Sequence, residues 1–267
     1  MKPWERDFPP FRVFGNLYFA GTRVASTHIV DTGEGLILFD SGYRETLHMV
    51  IDGMYRLGLS PHDITHIFHT HGHIDHFGAT RELARITGAK TLIGAPDAPC
   101  AAGEVDLSYA KELGMEYSEP FIPDVLLHDG DIITVGNTTV RCMLTPGHTE
   151  GATTFFFPVT DGKETVRAGL QGGMGMNSMR RAYLEEKGLP LSLRQDFLAA
   201  MDRMKAEPVD LFIGNHLGNN QAPEKYERLI GGETRVFIDP AAWAKGAEKG
   251  KQDILALLAE EATISEK

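Results

Sequence analysis

The stretch that decides the fold runs from Thr70 to Gly78 and reads Thr-His-Gly-His-Ile-Asp-His-Phe-Gly. Imidazole nitrogen and carboxylate oxygen are ligands that zinc, manganese and iron accept in proteins. A lone histidine is most simply a solvated or core residue, but this dense pattern predicts a metal centre. The four metal-binding side chains follow the spacing H-x-H-x-D-H and are His71, His73, Asp75 and His76.

The flanking residues place this motif on a loop between a strand and a helix. The run Ile64–Phe68 is β-branched and aromatic, which predicts a buried strand. The run Ala79–Thr87 has apolar residues at helical spacing among charges, which predicts a helix. On an extended segment, His71 and His73 point to one side. The other two candidate ligands, Asp75 and His76, follow where the chain turns and can face a second metal site.

Composition narrows the class of protein. The chain has 267 residues with 42% hydrophobic and 24% charged residues, which is ordinary for a globular protein and predicts one domain over 1–267. A net charge of −11 without a basic run argues against a nucleic-acid partner. Cys100 and Cys142 are not spaced like zinc ligands. The first residues lack the apolar segment of a signal peptide and no run reaches membrane-spanning length, so we expect a cytoplasmic protein with no membrane partner.

Strands and helices alternate along the rest of the chain. Strand-rich halves around Asp40–His76 and His148–His216 predict two sheets with helices outside. Between the halves, Pro96–Pro123 is irregular, with a candidate helix in Ala98–Leu113. This stretch is either a cover over the site mouth or plain connecting structure. The tail from Pro240 onward is predicted to be helical.

Three further polar residues follow predicted strands. His148 lies in a tight loop between Gly147 and Gly151, glycines that let backbone pass close to a metal, and it is the natural third ligand beside His71 and His73. His216 follows an apolar strand. From the residues alone, Asp40 either orients a ligand histidine or serves as a turn or helix-cap residue.

These motifs together resemble the metallo-β-lactamase fold superfamily of hydrolases. The similarity runs from about Phe11 to His216 and is greatest to the metallo-β-lactamase subclass with a three-histidine site and an Asp/His/His site. It implies an α/β fold, the αββα sandwich of two mixed β-sheets with helices on the outer faces. It assigns His71, His73 and His148 to a first metal, Asp75, His76 and His216 to a second, catalysis to Asp75, and the orientation of a ligand histidine to Asp40.

One departure concerns metal occupancy. Many hydrolases of the superfamily carry an aspartate that bridges both metals, whereas the equivalent place here, Ala168–Gly172, has no carboxylate. The resembled lactamase subclass also lacks that bridge. The resemblance therefore implies one or two zinc ions, with manganese or iron as alternatives.

The resemblance implies a zinc-dependent hydrolase in which metal-bound hydroxide attacks a small amide, lactam, lactone or thioester carbonyl. The alternative is a mononuclear-iron oxidoreductase on the same fold, similar to a persulfide dioxygenase. A metal-binding module without catalysis and a nuclease are disfavoured, the latter by the acidic charge. Arg180 and Arg181 are read as a solvated helix start in preference to substrate anchors. Substrate identity and oligomeric state have no readable signal in the sequence.

Overall fold

The computed structural model describes residues 2–115 and 119–265. Its first sheet has seven strands in chain order, antiparallel through β4 and parallel from β4 to β7, and is therefore mixed. The strands are β1 (Phe11–Phe14), β2 (Leu17–Phe19), β3 (His28–Asp31), β4 (Leu36–Phe39), β5 (Ile64–Phe68), β6 (Lys90–Gly94) and β7 (Val125–Leu127).

The second sheet has five strands in the order β12-β11-β10-β9-β8 and is also mixed. Its neighbours are antiparallel except for β11 and β12, which run parallel. The strands are β8 (Ile132–Val135), β9 (Thr138–Leu144), β10 (Thr153–Thr160), β11 (Thr165–Leu170) and β12 (Leu211–Ile213).

Helices cover the outer faces of both sheets. Met54 and Leu83, from the first and third helices, pack on the first sheet, and the sixth and eighth helices pack on the second. This αββα arrangement confirms the predicted fold class. The helices are α1 (Leu47–Arg56), α2 (Ile74–Phe77), α3 (Thr80–Thr87), α4 (Ala98–Ala101), α5 (Arg181–Glu186), α6 (Leu193–Lys205), α7 (Ala222–Ile230) and α8 (Pro240–Ser265).

An aromatic core joins the two sheets face to face. Phe39 of β4 stacks on Phe157 of β10 with ring centroids 4.8 Å apart, and Phe68 meets Phe155 edge-on at 5.5 Å. Such rings bury large apolar areas and fix the spacing of the layers. At the end of β6 the sheets come so close that a Cβ on Gly94 would lie 2.0 Å from the Gly151 carbonyl oxygen, so only glycine fits.

Within Pro96–Pro123, the helix expected in Ala98–Leu113 is present as the single turn α4. The helix α4 ends after one turn at Ala101, and Gly103 shortly after it has a left-handed conformation (φ +74°) that ends regular helix; the chain then runs irregularly to Met115. Residues 116–118 of this stretch lie outside the described residues. Across residues 2–115 and 119–265, no helix combines the length and the apolar character that crossing a membrane requires.

Candidate metal centre

Four strand ends meet at one edge of the sandwich and bring the predicted site residues together. Loops and short turns at such ends are held by the rigid sheets beneath them. The residues are His71 and His73 after β5, Asp75 and His76 on α2, His148 between β9 and β10, His216 after β12 and Asp40 after β4.

The first group is a triangle of three imidazoles. His71, His73 and His148 each offer a ring nitrogen within 4.8 Å of the other two, and their ring centroids are 4.5–4.7 Å apart. The Nε2 atom of His71 is buried and has no hydrogen-bond partner among the described residues. A buried polar atom without a partner is costly, and a metal ion in the triangle would satisfy it.

The second group adds a carboxylate. His76 Nε2 lies 3.2 Å from Asp75 Oδ2 and 3.3 Å from His216 Nε2, and His216 Nε2 lies 3.7 Å from Asp75 Oδ2. A ring nitrogen of His71 also lies within 4.8 Å of the ligand atoms of Asp75 and His76, so the two groups adjoin. Two imidazole nitrogens and a carboxylate oxygen directed at one point form a donor set suited to a divalent cation.

Hydrogen bonds at the opposite ring nitrogens fix how these imidazoles face. His148 Nδ1 donates to the Gly175 carbonyl at 2.7 Å, and His216 Nδ1 donates to the Val24 carbonyl. His76 Nδ1 donates to Asp40 Oδ2 at 2.7 Å. Because each ring donates its Nδ1 proton away from the site, Nε2 is the nitrogen that faces the site, as metal-binding histidines require.

Asp40 is the carboxylate behind both groups. It also accepts two hydrogen bonds from Thr70, one from the backbone N–H and one from the hydroxyl, each at 2.7 Å. Thr70 Oγ1 in turn lies 3.0 Å from His71 Nδ1. The Asp40 backbone is left-handed (φ +57°), a conformation that aspartate tolerates better than most residues. The structure therefore places Asp40 against a candidate ligand, with no helix-cap hydrogen bond among its contacts.

Burial favours neutral imidazoles in the first group. It lowers the pKa of His71 and His73 well below the ordinary value, with help from neighbouring histidines. It lowers the pKa of His148 to about 4. Neutral imidazole is the form that binds metal, so this group is available at neutral pH.

Within the second group, His76 and Asp75 form a charged pair. Burial opposes a charge on His76, but the carboxylates of Asp75 and Asp40 outweigh it and raise the pKa of His76 to about 10. Burial likewise opposes ionisation of Asp75, but His76 and its neighbours hold the pKa of Asp75 well below its usual range. In the metal-free chain the proton on His76 therefore supplies part of the positive charge that a cation would bring.

Several residues near the site were not identified from the sequence. The buried Asp97, just after β6, accepts hydrogen bonds from both histidine loops. Tyr109 has a left-handed backbone (φ +58°), and its ring lies 5.1 Å from that of His73. Ser178 donates to the His148 carbonyl at 2.7 Å. The signal available in the sequence for Asp97 was a carboxylate shortly after a buried strand; the other two depend on tertiary contacts alone.

Two arginines and two glycines considered in the sequence lie against other protein groups. Arg180 and Arg181 pair with Glu260 and Glu185 at 3.5 and 3.4 Å on the exposed surface, as a solvated helix start predicts. Gly147 and Gly151 were expected to let the backbone pass close to a metal, but they lie against other residues of the protein. A Cβ on Gly147 would lie 2.4 Å from Phe197 Cβ, and one on Gly151 would lie 2.6 Å from the Asp97 nitrogen.

A cavity of about 250 Å³ opens beside the centre. It touches both histidine groups and is bordered by a loop and by α8, and its residues include His148, Gln171, Met174, His216, Asn219 and Lys249. Tyr109 stands on the His73 side, and the Ser108 carbonyl before it accepts a hydrogen bond from the Ile74 N–H at 2.8 Å. The described part of the Pro96–Pro123 stretch thus lies next to the site.

Together these features define a two-sheet sandwich that holds a histidine-rich, metal-capable edge. Residues 20–161 match the family model described as "Metallo-beta-lactamase superfamily". The fold matches BJP-1, a subclass B3 metallo-β-lactamase of Bradyrhizobium japonicum, with a TM-score of 0.88 and 28% identity over 98% of both chains. It matches native FEZ-1 metallo-β-lactamase from Legionella gormanii with a TM-score of 0.88 and 27% identity, covering 97% of this chain and 98% of that one. The chain belongs to the metallo-β-lactamase superfamily.

Curated relatives match over shorter parts. A "Beta-lactamase hydrolase-like protein" of Agrobacterium fabrum is 30% identical over 199 residues, which are 70% of this chain and 40% of that protein. A "Hydroxyacylglutathione hydrolase" of Maricaulis maris is 31% identical over 96 residues, 36% of this chain and 30% of that protein. The matched regions therefore span less than half of the lengths of these two relatives.

Proposed function

We propose that the protein is a metal-dependent hydrolase of a small amide, lactam, lactone or thioester, with zinc as its metal. His71, His73 and His148 hold one ion, and Asp75, His76 and His216 hold the second. The observation that carries this proposal is the buried, unpartnered His71 Nε2 at the junction of the two donor groups. A buried polar atom without a partner is costly, and this one lies within 4.8 Å of ligand atoms from both donor groups, where a metal ion would satisfy it.

The ions would supply a hydroxide near neutral pH, because coordination lowers the pKa of water from 15.7 to about 7, and would polarise the carbonyl oxygen. The chain's own part is positioning and proton handling. Asp75 Oδ2 lies between His76 and His216 at the junction of the two groups, where it can orient the nucleophile and accept its proton. Asp40 holds His76 so that its Nε2 faces the same point.

The size of the cavity limits the substrate. A cavity of about 250 Å³ beside the centre is of a size that a small acyl compound fills. The place of a bridging aspartate is taken by Leu170, which is buried in the core between the sheets, and by the buried Gln171 that lines the cavity. We propose that two ions bind without such a bridge. A structural relative, LRA-12 from an Alaskan soil metagenome, is described as a di-zinc class B3 metallo-β-lactamase and matches with a TM-score of 0.82 and 26% identity over 97% of both chains.

The relatives suggest which substrates to try first. The names of the structural relatives refer to β-lactamases, and that of the Maricaulis maris protein refers to hydroxyacylglutathione. A panel of a cephalosporin, an acyl-homoserine lactone and an S-acyl glutathione samples the lactam, lactone and thioester classes. We expect turnover of at least one, abolished by a chelator and restored by zinc.

Two histidine variants test the site itself. His71→Ala and His148→Ala each remove one ligand of the first ion, so we expect bound zinc to fall and hydrolysis to drop to background. The exposed His128→Ala is the matched control and should keep both properties. Full activity in His71→Ala or His148→Ala would refute the assignment of the site.

A further inference from the structure

Two separate loops supply the first group of histidines, and little in the backbone joins them. His71 and His73 follow β5 of the first sheet, whereas His148 lies between β9 and β10 of the second. A direct backbone hydrogen bond links these loops, from the Thr153 N–H to the Thr70 carbonyl at 2.8 Å. Three imidazoles that must share one ion need a more closely defined spacing than such a bond provides.

The Asp97 carboxylate supplies that connection. Its Oδ2 accepts hydrogen bonds from the Gly72 N–H and the Thr149 hydroxyl, both at 2.7 Å, and its Oδ1 accepts from the Gly151 N–H at 2.8 Å. Gly72 lies between His71 and His73, and Thr149 directly follows His148. One buried side chain therefore binds the backbone between two candidate ligands and the residue next to the third.

The glycines in these loops fit this arrangement. A Cβ on Gly151 would lie 2.7 Å from Asp97 Cγ, and one on Gly72 would lie 3.2 Å from Asp97 Cβ and Cγ. Any larger residue at Gly151 would push the carboxylate away from its donors. Cys100 Sγ adds a contact of 3.2 Å to the Gly72 carbonyl from the same turn, so Gly72 is held through both its N–H and its carbonyl.

The donors around Asp97 require a carboxylate. Two backbone N–H groups and one hydroxyl surround the two oxygens. Burial raises the pKa of Asp97 to about 6 while these donors act in the opposite direction, so the group is ionised at neutral pH. An asparagine of the same shape would turn its NH₂ group toward at least one N–H or O–H donor, and that donor would lose its partner.

We propose that Asp97 is a positioning residue that fixes the spacing of His71, His73 and His148 and thereby sets the affinity for the first metal ion. This inference rests on the proposed metal centre. Its physical basis is that hydrogen-bonded groups behind ligands hold them in the geometry of the metal, and their loss commonly weakens metal binding by about 10- to 100-fold.

The test is zinc affinity by chelator competition, with apo-protein unfolding by urea measured in parallel. For Asp97→Asn we expect about 10- to 100-fold weaker binding of one ion and a changed visible spectrum after loading with cobalt. The control is Asp124→Asn. Asp124 Oδ2 accepts the N–H and hydroxyl of Thr91 at 2.8 and 2.9 Å, at the other end of β6 from Asp97. This control should lose stability but keep wild-type zinc affinity and the wild-type cobalt spectrum.

Variants of Thr149 provide a test that does not depend on the folding of Asp97→Asn. Thr149→Val removes one donor from Asp97 and should weaken zinc binding, whereas Thr149→Ser keeps the hydroxyl and should restore it. Wild-type zinc affinity in Asp97→Asn or in Thr149→Val would overturn the inference while leaving the metal centre intact. Absence of zinc binding in the wild-type protein would instead refute the proposed function and this inference with it.

Discussion

Asp40 contacts one candidate ligand, His76, directly and a second, His71, through Thr70. Its Oδ2 accepts from His76 Nδ1 and from the Thr70 hydroxyl, and Thr70 adjoins His71. A negative charge in this place also favours a cation in front of both groups. Its left-handed backbone confines the position to residues such as aspartate, asparagine and glycine.

The variant Asp40→Asn removes the negative charge of this side chain and keeps its shape. An asparagine side chain would keep the left-handed backbone but not all three hydrogen bonds, so His76 would lose part of its orientation. We expect about 10- to 100-fold weaker binding of the second zinc ion, with far-ultraviolet circular dichroism unchanged. Zinc titration in the presence of a competing chelator checks this. Two ions bound with unaltered affinity would show that Asp40 has a purely structural role.

His28 predicts a pH dependence of stability. Burial lowers its pKa to about 4, its Nε2 donates to the Gly214 carbonyl at 3.1 Å, and its Nδ1 is buried without a hydrogen-bond partner among the described residues. Protonation of Nδ1 would therefore bury an unpaired N–H. Because the unfolded chain binds the proton near pH 6.5, the neutral ring contributes full stability above that pH and loses it as the pH falls toward 4.

His28→Gln keeps a donor for Gly214 but does not titrate. The difference in unfolding free energy, variant minus wild type, should rise by about 2 kcal/mol between pH 8 and pH 5 as the wild type loses stability. Urea unfolding at several pH values measures it. Parallel pH profiles for the two proteins would mean that folding does not lower the pKa of His28.

At the residue scale, the sequence reveals the candidate ligands but not the residues that contact them or their loops. All six candidate ligands could be predicted, because four lie in one short motif and the other two follow predicted strands. Asp97, Tyr109 and Ser178 could not, because each acts on a residue more than 20 positions away through a contact that only the fold creates.

At the scale of elements, α8 fixes the outer layer of the second sheet. Trp243 is buried against Phe156 and Phe212, with ring centroids 5.6 and 5.3 Å away, and its indole N–H donates to the Met204 carbonyl at 2.7 Å. This one side chain joins α8 to α6 and to two strands of the sheet. The site depends on that layer, since α8 also borders the cavity through Lys249.

Trp243→Phe should destabilise the protein by about 2 kcal/mol, through a lost hydrogen bond and a partly filled cavity. The Met204 carbonyl keeps a second donor, the Glu207 N–H at 3.0 Å, so the loss stays moderate. Trp4→Phe is the control, because Trp4 is 72% exposed. Equal thermal unfolding midpoints for the two variants would contradict this role for α8.

Elements with strong periodicity could be predicted closely, and the irregular stretch could not. The strand Ile64–Phe68 has the predicted bounds, the predicted helix Ala79–Thr87 begins one residue later at Thr80, and the tail is helical from Pro240 as predicted. The helix expected within Ala98–Leu113 is a single turn, α4, and the chain after it contacts His73 and Ile74 through tertiary contacts that the sequence does not reveal.

At the scale of the whole molecule, the site is a property of the sandwich. The first sheet supplies His71, His73 and the α2 ligands, and the second supplies His148 and His216, so neither half is a complete metal site. Close approach of the sheets at Gly94 and Gly151 brings the two sets of loops into contact. Because candidate ligands from both sheets would share the ions, metal binding should favour the folded state over the unfolded chain.

The most direct test of this account is the metal content per chain of protein purified without added metal, measured by elemental analysis. We predict about two zinc ions per chain, reduced in His71→Ala and in His216→Ala. One iron ion per chain without zinc would contradict the hydrolase and favour the iron-dependent oxidoreductase. A wild-type chain that binds neither metal, even after zinc is supplied, would contradict the metal centre altogether.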